Sequence, residues 1–441
     1  MHPAPHDEER RVALAHRLRH ARRVTDSLFG LLGPEALLAR PIRERHRVIF
    51  YLGHLEAFDW NLLARSTFGL DPFDETFDRL FAFGIDPVDG GLPDDVPSDW
   101  PAKTEIEAYG REVRRTVDRL LGEACFDASG NLTNGKVFEV AIEHRLMHAE
   151  TLAYMFHWLP LEWKRPLEGA RSLPENPARQ GRQIPVPSGT ATLGLDRGGT
   201  AFGWDNEFDA TRTEVPGFLI DACNVSNGQF LEFLRAGGYE DRSLWSEDDW
   251  SWKSREGIAH PRFWEWRGGR WLVRNMFDLR PLPLSWPVYV SHAEASAYAR
   301  WAGRTLPTEA QFHRAAYGAP DGSERPYPWG SEAPDPSRGN FGFRRWDPAP
   351  VGAYPAGDSA FGLSDALGNG WEWTSTPFGP FEGFERFGFY PGYSADFFDG
   401  RHFVMKGGSS RTSACMLRRS FRNWFQPHYP NVYAAFRCVG S

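Results

Sequence analysis

The chain has 441 residues, of which 41% are hydrophobic and 24% charged, and its formal net charge is −8. This length predicts two or three domains, and the composition is typical of a soluble globular protein. The negative charge argues against a nucleic-acid-binding protein, because neutralising phosphates requires a basic excess. The N-terminus has no apolar signal core and no stretch is long enough to span a membrane. We therefore expect a cytoplasmic protein with neither nucleic acid nor membrane as a partner.

The first part of the chain shows helical periodicity. Apolar residues at helical spacing predict four helices, over about residues 12–31, 42–63, 103–121 and 134–158. Thr104 and Glu107 form a capping-box pattern at the start of the third helix. The stretch from Gly69 to Trp100 is rich in Asp, Gly and Pro and predicts a long crossover loop. Four helices with one such crossover predict a four-helix bundle over residues 1–163.

The second part of the chain has a different texture. Residues 164–184 are polar and contain Pro and Gly, which predicts a linker. From residue 185 to residue 441, short β-like runs alternate with turns and two short helices, and this mixture predicts an irregular α+β domain. The predicted strands are Ile184–Val186, Val215–Ile220 and Pro350–Tyr354, and the predicted helices are 227–236 and 292–302.

Three histidines in the predicted bundle are candidate metal ligands. His144 and His148 are four residues apart, so both rings project from one face of a helix. His54 lies in an aromatic and apolar helix, where an imidazole without a partner would be costly. Three neutral imidazoles with open positions left over suit Fe(II), Zn(II) or Cu(II). On the residues alone, a metal site and three unrelated core or surface histidines remain equally supported.

The chain resembles a known family over nearly its whole length. YLGHLEAF (51–58) and HRLMHAE (144–150) stand where DinB-type bundles carry iron-binding histidines. The second half resembles the formylglycine-generating-enzyme domain, which has a C-type-lectin-like fold. Its motifs here are RTLPTEAQFHRAAYG (304–318), YPWG (327–330), GLSDALGNGWEWTSTPF (362–378), MKGGSSR (405–411) and the terminal AAFRCVG. Their joint occurrence in this order resembles the ergothioneine-type sulfoxide synthases and their relatives, including selenoneine synthase.

This resemblance implies a mononuclear non-haem Fe(II) enzyme with the metal on His54, His144 and His148. Its substrates would be hercynine (N-trimethylhistidine), a sulfur or selenium donor, and oxygen, with the new bond formed at imidazole C2. The match assigns Trp424 and Phe425 to the trimethylammonium group, and aromatic faces attract such cations. Within the GNGWEWT block, we expect Trp371 and Trp373 to be core side chains.

Several positions depart from the sulfoxide synthases. Phe378 and Phe381 stand where relatives often carry a proton-donating tyrosine, and Met147 replaces a glutamine that can bind the substrate imidazole. The loop LFAFGIDPVDGGLP (80–93) also lacks a tyrosine-bearing pattern. A selenol is more acidic and nucleophilic than a thiol and needs less acid–base help. These departures favour a selenoneine-synthase-like enzyme that uses a selenosugar.

Alternatives remain open within this class and outside it. An ergothioneine-type sulfoxide synthase using γ-glutamylcysteine or cysteine would need a relocated proton donor, for which Tyr390, Tyr393 and Tyr429 are candidates. A formylglycine-generating enzyme needs two closely spaced cysteines, whereas Cys415 and Cys438 are far apart. The remaining alternatives are a zinc-dependent DinB-type thiol transferase and a non-catalytic lectin-like binding module.

Overall fold

The computed structural model describes residues 5–82, 95–126, 130–166, 173, 181–199 and 201–440. The chain divides into two compact units, residues 1–168 and 169–441, and this division falls within the segment predicted as a linker. None of the helices in the described ranges is both long and apolar enough to cross a bilayer.

The first unit is helical. Its helices are α1 Pro5–Gly30, α2 Val48–Asp59, α3 Glu75–Leu80, α4 Lys103–Glu123 and α5 Lys136–His157. A π-helix, Trp60–Thr67, continues α2 directly, and the short α3 follows it. Helix α1 packs against α4 and α5, and α2 packs against the same two helices, so these four form the predicted bundle.

Three details of the predicted helices are wrong. The second helix begins at Val48 rather than at residue 42, because the preceding residues form a turn in which the Arg45 amide donates to the Ile42 carbonyl. The N-cap of α4 is Ala102, whose amide donates to the Glu105 carboxylate at 2.8 Å, so the Thr104 capping box does not form. The predicted crossover loop contains α3, and its residues 83–94 lie outside the described part of the chain.

In its described residues, the second unit combines short strands with four α-helices. The strands are β1 Gln183–Val186, β2 Gly189–Leu193, β3 Thr211–Val215, β4 Phe218–Asp221, β5 Trp264–Arg267, β6 Arg270–Arg274, β7 Leu279–Pro281, β8 Gly370–Pro377, β9 Phe403–Gly408, β10 Asn423–Phe425, β11 Ala434–Ala435 and β12 Val439–Gly440. The helices are α6 Asn227–Arg235, α7 Glu247–Glu256, α8 His292–Trp301 and α9 Glu309–Tyr317. The sheets have the strand orders β1-β4-β12, β10-β9-β8-β11, β2-β3 and β5-β6-β7. Helix α9 packs against β2, and its Phe312 shares a buried core with Ile184 of β1 and Ile220 of β4.

Two of the predicted strands are also wrong. The run 215–220 is interrupted by Pro216 and Gly217, so it divides between β3 and β4, which pair with different strands. The run 350–354 forms a turn instead of a strand, closed by a hydrogen bond from the Ala353 amide to the Pro350 carbonyl at 3.1 Å.

The GNGWEWT block lies at the centre of the second sheet. Its residues from Gly370 onward begin β8, which pairs antiparallel with β9 of the MKGG motif and parallel with β11 of the terminal motif. Trp371 and Trp373 are buried, as predicted, and the Trp373 indole donates to the Val290 carbonyl at 2.9 Å. The Asn369 side chain binds both the amide and the carbonyl of Ala349. These contacts are structural, and they fix the sheet on which β10 is built.

Candidate functional site

The three predicted metal ligands come together inside the bundle. His54 projects from α2, and His144 and His148 project from the same face of α5. The ring centroids are 4.5 Å apart for His144 and His148, 4.9 Å for His54 and His148, and 5.5 Å for His54 and His144. One ring nitrogen from each residue lies within 4.8 Å of the others, which is close enough for all three to reach one ion.

The protonation state of the three rings suits metal binding. Burial lowers the pKa of His54 to about 4, and it lowers the pKa of His144 and of His148 well below the usual range. Within the described residues, neither His54 Nε2 nor either ring nitrogen of His148 has a hydrogen-bond partner. Buried polar atoms without a partner are rare in proteins, and a bound ion would account for the ones found here. The donor set, neutral imidazoles converging in a buried site, fits a divalent transition-metal ion.

Aromatic side chains surround the triad. Phe58 stacks on His144 with a centroid distance of 3.4 Å, and Phe50 stacks on His54 at 4.9 Å. Tyr51 lies 5.8 Å from His148, ring centre to ring centre. These rings keep water away from the ligands on their side and restrict the rotation of each imidazole.

A buried ionic network joins the two helices that carry the three histidines. The Arg145 guanidinium donates to the Glu56 carboxylate at 3.0 Å, to Asp59 at 2.8 Å and to the Leu55 carbonyl at 2.9 Å. Burial alone would raise the pKa of Glu56, but Arg145 and Arg114 outweigh it and lower that pKa to about 2. The network therefore fixes α2 against α5 next to the three histidines. Met147 precedes His148 on α5 and is partly exposed.

The segment predicted to bind a trimethylammonium group lies on β10 of the second unit. Trp424 pairs with Val404 of β9, and its ring stacks on Phe378 with a centroid distance of 4.2 Å and an interplanar angle of 6°. Tyr393 and Phe397 approach the same indole at 5.4 and 5.6 Å. Trp424 and Phe397 are partly exposed, whereas Phe378 and Tyr393 are buried, so this aromatic cluster has two accessible members.

Arg422 packs against Phe378 of this cluster and against the nearby Phe381. Its guanidinium lies over the rings of Phe378 and Phe381, at 5.0 and 4.2 Å. It also donates to the Glu309 carboxylate at 3.1 Å and to the Gly379 carbonyl at 2.9 Å. Phe378 is 1% exposed. Its ring is therefore covered by Trp424 and Arg422, whereas Phe381 keeps partial exposure.

Comparison with known proteins identifies the family. Residues 170–441 match the model of the sulfatase-modifying factor enzyme 1-like domain, and residues 17–152 match the DinB superfamily. A hercynine oxygenase of Mycobacterium tuberculosis is 37% identical over 80% of this chain and 83% of its own length. The hercynine oxygenase of Mycolicibacterium thermoresistibile is 38% identical over 68% of each chain. Ergothioneine biosynthesis protein 1 of Neurospora crassa is 28% identical over 93% of this chain and 55% of its own length.

The chain belongs to the ergothioneine-type sulfoxide synthase family. It is therefore an oxidoreductase, and the alternative of a non-catalytic lectin-like binding module is wrong. The predicted fold, a DinB-like helical bundle followed by a formylglycine-generating-enzyme-like domain, is confirmed.

The three tyrosines considered as proton donors in this synthase occupy different surroundings. Tyr393 is buried and stacks on Trp204 at 3.9 Å. Burial raises the pKa of Tyr390 above its ordinary value, which makes its phenol a poorer acid. Tyr429 is partly exposed and stacks on Phe425 with a centroid distance of 5.1 Å.

Sequence reasoning missed a further polar pair beside the same segment. His428 Nε2 lies 2.8 Å from the Asp249 carboxylate, and the imidazole stacks on Trp252 at 4.7 Å. Burial would raise the pKa of Asp249, but the hydrogen bond with His428 contributes to holding it below the usual value. A histidine oriented by a carboxylate is a common proton carrier. The only signal in the sequence was the position of His428, four residues after Trp424.

Proposed function

We propose that this synthase uses Fe(II) and oxygen to form a carbon–selenium bond at C2 of the hercynine imidazole, with a selenosugar as the donor. The observation that carries the iron chemistry is the buried triad of neutral histidines, His54, His144 and His148. Hercynine as the acceptor is supported by relatives that are named hercynine oxygenases. Bound Fe(II) would supply the electrons that activate oxygen.

The proposed reaction balances in atoms and electrons. One hydrogen leaves C2 of the imidazole, one leaves the selenol, and the carbon–selenium bond forms between the two atoms. Reduction of one O₂ by four electrons combines both hydrogens with one oxygen atom as water. The other oxygen atom then remains on selenium, and the product is a selenoxide.

The side chains of this protein would bind and orient the substrates. The partly exposed indole of Trp424, with Phe425 beside it, offers aromatic faces to the trimethylammonium group of hercynine, an interaction of about 0.5–2 kcal/mol. Holding donor and acceptor side by side supplies much of the rate enhancement, because a bimolecular step becomes effectively unimolecular. Met147 would contact the substrate as an apolar surface without a hydrogen bond to the imidazole.

The preference for selenium rests on the residues that cannot donate a proton. Phe378 is covered by Trp424, and Phe381 lies against Arg422. Neither phenyl ring can assist a thiol that needs acid catalysis. A selenol is already ionised near neutral pH and depends less on such help. The absence of a hydroxyl at these two positions therefore favours the more acidic donor.

A sulfur donor is the second candidate function. It is favoured by relatives named ergothioneine biosynthesis protein 1, which match 93% of this chain. In that case γ-glutamylcysteine or cysteine replaces the selenosugar, and the proton would come from Tyr390, Tyr393 or Tyr429. Of these, Tyr390 and Tyr429 are partly exposed, and Tyr429 lies against Phe425.

The experiment compares the two donors directly. Protein loaded anaerobically with Fe(II) is mixed with hercynine, oxygen and either a selenosugar or γ-glutamylcysteine, and the products are followed by mass spectrometry. We expect a carbon–selenium product from the selenosugar and little product from the thiol. Product from γ-glutamylcysteine alone would move the enzyme to the sulfur branch.

Variants of the triad test the metal site in the same assay. His148→Ala should lose bound iron and turnover together, since the ion needs all three imidazoles. His20→Ala is the matched control because His20 is an exposed histidine on α1 of the same bundle. Retained iron and turnover in His148→Ala would overturn the assignment. Zinc with no oxygen consumption would instead favour a DinB-type thiol transferase.

A further inference from the structure

We infer that the backbone carbonyl of Phe81 is a positioning group that selects the metal-binding nitrogen of His54, and that Gly53 is the residue that lets it do so. This inference rests on the proposed metal site. The hydrogen bond between His54 Nδ1 and the Phe81 carbonyl is 2.8 Å long. A carbonyl can only accept, so Nδ1 must carry the proton, and the lone pair of the neutral ring then lies on Nε2.

The remaining ring nitrogen is the one left for an ion. His54 Nε2 is buried and has no hydrogen-bond partner within the described residues. A metal-binding histidine usually donates its other N–H to a carboxylate or a backbone carbonyl, which fixes the tautomer and raises the basicity of the ligand. The contact with Phe81 has this form. This hydrogen bond makes Nε2 the nitrogen of His54 that can bind an ion, and it does so before any ion is present.

Gly53 explains how the carbonyl reaches the imidazole. This residue directly precedes His54 in α2, and the Phe81 ring lies flat against it. A Cβ atom at position 53 would stand 2.5 Å from three carbon atoms of that ring, far inside van der Waals contact. Any larger residue would therefore displace Phe81 and draw its carbonyl away from His54 Nδ1.

The position of Phe81 is fixed on its other sides. Its side chain is 0% exposed and lies within 6.3 Å, centroid to centroid, of the rings of Phe50, Phe77 and Trp100. Its amide closes the end of α3 on the Phe77 carbonyl at 3.0 Å. The carbonyl thus belongs to a packed element and acts as a rigid acceptor.

Helix α3 is in turn attached to the bundle. The Tyr109 hydroxyl on α4 donates to the Asp78 carboxylate on α3 at 2.7 Å, in a buried contact. This bond lies one helical turn before Phe81. The orientation of His54 therefore depends on three elements of the first unit: α2, which carries it, α3, which supplies the acceptor, and α4, which anchors α3.

The first test is a pair of matched glycine variants titrated with Co(II) alone and followed by its visible absorption. We expect Gly53→Ala to weaken Co(II) binding by about 10–100-fold, the usual loss when the partner of a metal-binding histidine is disturbed. Gly122→Ala is the control, because Gly122 lies in α4 with nothing within 4 Å of the added methyl group. It should bind Co(II) like the parent protein. Equal affinity in Gly53→Ala and the parent would overturn the inference.

The second test uses the parent protein and so does not depend on a variant folding. With ¹⁵N-labelled histidine and bound Zn(II), we expect His54 to show a protonated Nδ1 and a metal-bound Nε2. A proton on Nε2 with the metal on Nδ1 would overturn the inference even if Gly53→Ala binds metal poorly. Failure of the parent to bind Co(II), or unchanged binding in His148→Ala, would instead refute the proposed metal site.

Discussion

The ion pair between Glu372 and Arg437 allows a sharp test of what the GNGWEWT block does. Both side chains are 0% exposed, and they bind each other through two hydrogen bonds of 2.6 and 2.7 Å. Arg437 also donates to the carbonyls of Asp221, Ala222 and Ser364, at 2.9–3.1 Å. One residue comes from the conspicuous central motif and the other from the terminal motif. We expect their role to be the stability of the second unit rather than substrate binding.

The expected energies follow from burial. Replacing one partner leaves the other as an uncompensated buried charge, which costs about 3–5 kcal/mol. Glu372→Met and Arg437→Met should each lower the free energy of unfolding by about that amount. The double variant removes both charges and loses the hydrogen bonds to the three carbonyls, at about 0.5–1.5 kcal/mol each, so it should cost about 1.5–4.5 kcal/mol. The two substitutions should therefore compensate each other by several kcal/mol.

The assay is urea unfolding of the parent, the two single variants and the double variant, followed by tryptophan fluorescence. Co(II) titration of each folded variant is the control, because the proposed metal ligands all lie in the first unit. We expect unchanged Co(II) affinity in all four proteins. A double variant that is as unstable as the sum of the singles would refute the reasoning, as would a single variant that loses less than about 1 kcal/mol.

Three other predictions concern metal, pH and proton transfer. Co(II) at 100 times its dissociation constant should stabilise the first unit by about 2.7 kcal/mol, and His148→Ala should abolish this gain in the same unfolding assay. Burial lowers the pKa of Lys406 to about 8, below its unfolded value of about 10.4. The unfolded chain therefore binds more protons between pH 8 and 10, and the free energy of unfolding should rise over that range. Lys406→Met should remove up to about 3 kcal/mol of that rise. If the pair with Asp249 makes His428 a proton carrier, His428→Gln should lower kcat by roughly 10²-fold in steady-state assays, and an unchanged kcat would exclude it.

The histidine triad was predictable because part of its geometry is local. An i, i+4 spacing on one helix brings His144 and His148 together whatever the rest of the chain does. His54 needed a second argument, the cost of an imidazole in an apolar helix. The resemblance to known synthases then indicated that His54 lies in one site with His144 and His148. The structure adds the interatomic distances, which depend on how α2 packs against α5 and so could not be read from spacing.

The errors in the predicted elements have local causes of another kind. The prediction took apolar content at residues 350–354 as a strand, but the chain turns there between the Pro350 carbonyl and the Ala353 amide. The capping box predicted at Thr104 and Glu107 was wrong by two residues, since Ala102 and Glu105 cap the start of α4. Periodicity locates an element well and its ends poorly, because the ends are decided by a few hydrogen bonds.

Two contacts, one that stabilises the second unit and one that orients His54, could not be predicted from composition and spacing. Arg437 meets Glu372 across 65 positions because β11 pairs in parallel with β8, and no periodic pattern encodes that pairing. The acceptor of His54 is a backbone carbonyl, which any residue type at position 81 could provide. The sign of this contact in the sequence is Gly53, because only glycine leaves room for the Phe81 ring. A glycine inside a helix costs about 1 kcal/mol relative to alanine, and the close approach of Phe81 explains why position 53 has a glycine despite that cost.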